Sequence, residues 1–166
     1  MNITEITALA GMAAATAATI IAYFTLRTIS RQTMGATLLG CLQEYIIIRR
    51  IRLDAVEKRN PELAEQYYRE LCDLCWTEFR LWQAGLLGYH VFYAWMDSRA
   101  RSYKDDKGIT VLENDKETAV NQKIVWKRLK DGQYYGPYDD FMAFMETVHD
   151  GNITEALRKY KTPHRH

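Results

Sequence analysis

Residues 6–26 read ITALAGMAAATAATIIAYFTL, twenty-one positions without a charge, with Glu5 before them and Arg27 and Arg31 after. A helix rises about 1.5 Å per residue, so this stretch would be about 31 Å long, against about 30 Å for the hydrocarbon core of a bilayer. No other part of the chain narrows its possible folds as far. Soluble helices rarely run about six turns without a charge, because one face of them meets water. A single N-terminal transmembrane helix is therefore expected within residues 1–32. The drive to insert is modest. Ile6, Leu9, Ile20, Ile21, Phe24 and Leu26 together supply roughly −3 kcal/mol, and four threonines and Gly11 offset part of it. An alanine-rich helix buried in a bundle is the competing reading. A cleavable signal peptide fits less well, since the start Met-Asn-Ile-Thr-Glu carries no Lys or Arg and the apolar run is long.

The flanking charges give this segment a direction. Arg27, Arg31, Arg49 and Arg50 all follow it and no basic residue precedes it. The positive-inside rule then places the N-terminus outside and the rest of the chain in the cytoplasm, at an inner or plasma membrane. Three cysteines, an odd number, argue against a disulfide framework and suit a reducing compartment. At 100° per residue Ala8, Gly11, Ala15, Ala18, Ala22 and Thr25 share one side, and small residues let two membrane helices approach closely. A docking face for another transmembrane protein, or for a second copy, is one reading. Thirteen of the twenty-one residues are Ala, Gly or Thr, so chance is the other.

With 22 Lys+Arg against 21 Asp+Glu and a net charge of +1, there is no global electrostatic case for nucleic acid. Residues 33–161 read as one helical domain of about five or six helices, making the expected fold all-α beyond the anchor. No proline occurs before Pro61, so the first helix could run unbroken into a second over about residues 33–58, a stalk of roughly 80 Å; Gly35 and Gly40 leave room for a break. In this second helix Met34, Leu38, Cys41, Leu42, Tyr45, Ile48 and Val56 share a face. Asn60-Pro61 predicts the start of a third helix, which runs to about Gln83 and stops at Gly85. A fourth, about residues 89–103, packs Tyr89, Phe92, Tyr93, Met96, Ala100 and Tyr103. Residues 104–118 read as a charged loop with a short extended piece at 109–112. A fifth helix is expected over about 119–130. A sixth groups Phe141, Phe144, Met145 and Val148, and Asn152 with Glu155 suggests a capping box for a short last one. The tail 162–166 is expected to be disordered.

Glu78 is the candidate with the most chemistry. It lies within the apolar arc of Leu71, Leu74, Cys75, Leu81 and Trp82, where a carboxylate must be paired, protonated or facing a cavity. Arg49 and Arg52 of the second helix are its expected ion-pair partners. Cys72 and Cys75 form a CxxC, but in mid-helix and without a second pair, so two core cysteines are expected, joined by Cys41. Glu146 and His149 make a lone Glu-x-x-His, a weak metal candidate, because carboxylate-bridged sites in bundles use two such motifs. His164 and His166 could take up metal adventitiously. His90, Asp97 and Arg101 form a stripe that reads as a solvated face. Trp76, Trp82 and Trp95 suit an interfacial belt and a core equally. No phosphate-binding loop, dinucleotide fingerprint, EF-hand, zincin or Gly-x-Ser-x-Gly motif is present, and no cofactor is implied. The expected role is a non-enzymatic accessory or assembly subunit of a membrane complex, with the bilayer and another transmembrane protein or itself as partners. A membrane-tethered enzyme or sensor with a ligand pocket near Glu78 is the alternative.

Overall fold

The computed structural model describes residues 3–105, 107–136 and 140–161, with side chains from residue 18 onward. Six α-helices and one two-stranded antiparallel sheet are found among the described residues, so the chain is mostly helical. The tail 162–166 lies outside them.

The first helix, α1, is Ile3–Lys58 and is unbroken. Nothing in residues 3–58 stops it: there is no proline, and neither Gly35 nor Gly40 is needed for a close approach. The exposed hydroxyls of Thr28 and Thr33 donate back to the carbonyls of Phe24 and Ile29, both at 2.9 Å. Two compact units divide the chain, residues 1–36 and 37–166. In the first unit every described side chain is exposed except half-buried Met34. No helix among the described residues is long and apolar enough to cross a membrane, so the expected transmembrane helix finds no support there. Residues 6–17 of the uncharged stretch have side chains outside the described residues, Ala8, Gly11 and Ala15 among them.

In the second unit α1 contributes Cys41, Ile48 and Ala55 to the core. Leu42 and Val56, expected on the same buried face, are 42% and 48% exposed. They lie toward the flank of a helix that meets the domain along a narrow strip. α2, Pro61–Gln83, begins where Asn60 and Pro61 predict, with Asn60 Oδ1 accepting from the Leu63 amide at 2.9 Å. Its end is a Schellman turn: Gly85 takes φ +75°, its amide bonds Trp82 O, and the Leu86 amide bonds Leu81 O. The same device, with Gly151 at φ +92°, closes α5. Ten residues of α2 are buried, and Phe79 sits at the centre, 4.6 Å from the Phe144 ring and 5.7 Å from Phe141. α3, Tyr89–Lys104, adds Phe92, which stacks on Trp82 at 4.8 Å. α4, Gln122–Asp131, α5, Asp140–His149, and α6, Ile153–Lys159, complete the domain. Phe141, Phe144, Met145 and Val148 of α5 are all buried, as their spacing predicts.

Two local expectations need correcting. The charged segment after α3 holds a hairpin, β1 Ile109–Glu113 and β2 Lys116–Val120, joined by Asn114 and Asp115 at φ 51° and 60°. Two successive left-handed residues make the tight turn whose twist matches the strands, and Asn and Asp tolerate that conformation. Ile109 and Val111 plug into the core, and the Leu112 amide donates to Arg59 O at 2.8 Å. Because β2 uses residues up to Val120, the next helix starts at Gln122 rather than near Ala119. At α6 the helix begins after Asn152, but that side chain makes no capping bond.

Candidate functional site

The site forms where α1, α2 and α3 meet within the second unit. Glu78 is 2% exposed on α2, held among the apolar residues that its position predicts. Its cation is Arg99 of α3, with Nη2 donating to Oε1 at 3.5 Å. Arg49 and Arg52, the expected partners, are exposed instead. Arg49 follows core residue Ile48 by one position, about 100° around the helix, which carries it off the buried strip. Arg99 was missed from the sequence, although a signal was there: it falls on the same stripe as Phe92, Met96 and Ala100, and all four are buried.

At 3.5 Å the Glu78–Arg99 bond is long for a charge-assisted one. Glu78 Oε2 and Arg99 Nε have no hydrogen-bond partner among the described residues. The guanidinium lies over the Tyr45 ring at 5.2 Å. Beside the pair is a cavity of ≈ 150 Å³ lined by Cys41, Leu42, Tyr45, Glu78, Trp95, Ser98 and Arg99. Burial pushes the Glu78 carboxyl up to about 7, against the opposing pull of Arg99. Burial likewise pushes Cys75 up to about 12, and it raises Cys72 and Cys41. These three thiols are buried and free, so the CxxC is core material and not a thiolate nucleophile at neutral pH.

Glu146 and His149 are close in sequence but serve separate roles. Glu146 pairs with Lys130 of α4. His149 is 6% exposed, stacked flat on Tyr103 with centroids 3.5 Å apart and edge-on to Trp126 at 5.0 Å. Neither ring nitrogen has a partner among the described residues, and burial lowers its pKa to about 3, so the imidazole is neutral. No group of three metal-ligating side chains occurs among the described residues. Asp97 and Arg101 pair at 2.7 Å, and His90 is exposed.

The other conspicuous surface is α1 itself. Sixteen large apolar side chains are exposed among the described residues, and all but Tyr89, Leu112, Ile124 and Tyr134 lie on this helix. Ala18, Ala22 and Thr25 of the small-residue face are exposed as well. Between residues 39 and 56 the exposed residues follow a 3-4 spacing: Leu39, Leu42, Ile46, Leu53 and Val56 are 42% to 60% exposed, and Arg49 fills the remaining place. Arg49, Arg50 and Arg52 make no ion pair among the described residues. In comparisons with protein-family models, curated proteins and solved structures, the chain matches none of them.

Proposed function

We propose that this chain is a non-enzymatic, membrane-associated accessory or assembly subunit that docks another protein along α1. The observation that carries the reading is the concentration of uncovered apolar side chains on that one helix. Exposing apolar surface costs about 25 cal/mol per Å², and a folded domain that leaves a whole helix side bare gains when a partner covers it. The 3-4 spacing of Leu39, Leu42, Ile46, Leu53 and Val56 is the seam of a coiled coil. Two parallel copies would set Arg49 against Arg49, and like charges across a seam repel. A partner helix with an apolar seam and an acidic residue opposite Arg49 fits better. The uncharged stretch 6–26, followed by Arg27 and Arg31, supports a membrane anchor with the N-terminus outside.

Native mass measurement after mild detergent extraction tests the docking. A hetero-complex that dissociates in high salt and is lost in Ile46→Ser with Leu53→Ser is the expected result. A lone monomer sinks the reading, and a homo-oligomer sinks the acidic partner. Protease protection of the second unit in sealed right-side-out vesicles tests the orientation; cleavage there from outside contradicts it.

A further inference from the structure

We infer that the cleft between α2 and the turn after α4 binds a trimethylammonium group, the cationic end of choline compounds. Asp73, Trp76 and Thr77 line it from α2, and Tyr134 and Tyr135 line it from the turn. Positions 73, 76 and 77 are three and four residues apart, so one face of the helix presents all three. The two tyrosine rings stand at 86° to each other with centroids 5.0 Å apart, which makes two walls of a corner. Several contacts fix that corner. Gln133 at φ 50° and Gly136 at φ 89° reverse the backbone on either side of the pair. The Tyr135 ring meets Phe141 edge-on at 5.0 Å, and its hydroxyl donates to Asp73 Oδ1 at 2.8 Å. Tyr134 has no such cover and is 55% exposed.

Three aromatic side chains and one carboxylate form a wall that suits a cation. The face of an aromatic ring is electron-rich and attracts a cation lying within about 6 Å of its centre. Trp76 already attracts one, the Arg80 guanidinium 5.5 Å from its ring centre, and Arg80 does not line the cleft. Asp73 adds a formal negative charge. Its one hydrogen bond is to Tyr135, and it makes no ion pair among the described residues. The choice among cations follows from hydration. A primary ammonium carries three donors and holds its water strongly. A trimethylammonium group has no donor, presents methyl groups to the rings, and needs only a nearby counter-charge. The cleft volume of ≈ 410 Å³ has room for that group and for the chain that leads out of it. The same chemistry is carried by a free choline compound and by a phosphocholine lipid headgroup.

The test titrates the full chain, held in a maltoside detergent, with choline, ethanolamine, glycerophosphocholine and 3,3-dimethylbutan-1-ol, the neutral isostere of choline. Calorimetry and the Trp76 indole NMR signal follow binding. Choline should bind saturably and shift that signal, and the neutral isostere and ethanolamine should each bind at least about tenfold more weakly. Tyr134→Ala, at an exposed position, and Asp73→Asn, which keeps an oxygen to accept from Tyr135, should each weaken choline at least about tenfold, with circular dichroism unchanged. Glycerophosphocholine binding as tightly as choline supports the lipid headgroup as the source; its exclusion supports a free small molecule. Equal binding of the neutral isostere would show a merely apolar cleft and overturn the assignment. Tighter ethanolamine binding, or no binding by choline in the native chain, would overturn it as well.

Discussion

α1 and α2 are both long and rich in large apolar residues, yet the fold treats them in opposite ways. α2 buries ten of its residues, including the charged Glu78. In the second unit α1 buries three, Cys41, Ile48 and Ala55, and leaves Leu39, Leu42, Ile46, Ile47, Leu53 and Val56 in solvent. The difference does not lie in apolar content. α2 is surrounded by α3, α4 and the hairpin, whereas α1 meets the domain along one strip. An apolar face with neighbours makes stability, and one without them makes an interface. The contrast extends to charge. On α2 a lone carboxylate is drawn into the core and must find Arg99, while Arg49, Arg50 and Arg52 of α1 stay wet and need nothing.

The sharpest way to test this contrast is at the centre of α2. Phe79→Ala should cost about 3–5 kcal/mol, since it empties the ring cluster around Phe141 and Phe144; urea unfolding measures it. Arg99→Ala should cost about 1–3 kcal/mol because it leaves the buried Glu78 carboxyl without its partner. Glu78→Leu combined with Arg99→Met should restore most of that loss, as buried pairs replaced together by apolar groups of similar size are often neutral. If the double variant is as unstable as the single, the cavity wall and not the charge is what matters.

A smaller effect separates the two buried titratable groups by pH. The Glu78 carboxyl, about 7 folded against an ordinary 4.5, keeps a proton that the unfolded chain has released. Its contribution is therefore complete below about 4.5 and is lost as pH rises through 7. His149, about 3 folded against 6.5, runs the other way: its contribution is complete above 6.5 and is lost as pH falls toward 3. Between 4.5 and 6.5 the two slopes oppose each other. Unfolding free energy measured across this window should be nearly level in the native chain. It should fall with acid in Glu78→Gln and fall with base in His149→Phe. Identical profiles in all three proteins would show that neither group is coupled to folding.

The smallest expected effect is on α1. Ile46→Ser with Leu53→Ser should leave the unfolding free energy of the domain within about 0.5 kcal/mol of the native value, because these side chains touch little. A larger loss would mean that the helix face is part of the fold rather than an uncovered surface.

Much of this was legible in the chain. Asn60-Pro61 and Gly85 bound α2 because caps and left-handed stops act through neighbours a few residues away. Glu78 could be read as buried from helical spacing alone. Arg99 could not be assigned to it, since that pairing joins α2 to α3 and depends on how the helices meet. The hairpin had a local signal in Asn114-Asp115, which the surrounding charges obscured.

The sequence by itself determined most of the helices, both ends of α2, the long uncharged start and the presence of a carboxylate on a buried stripe, because each depends on backbone propensity and spacing within a few turns. Only the tertiary structure decided which apolar faces are covered, which arginine neutralises Glu78 and where a cavity remains beside the pair. Those outcomes are set by contacts between segments far apart in the chain, where packing and desolvation compete, and no local pattern records which competitor wins.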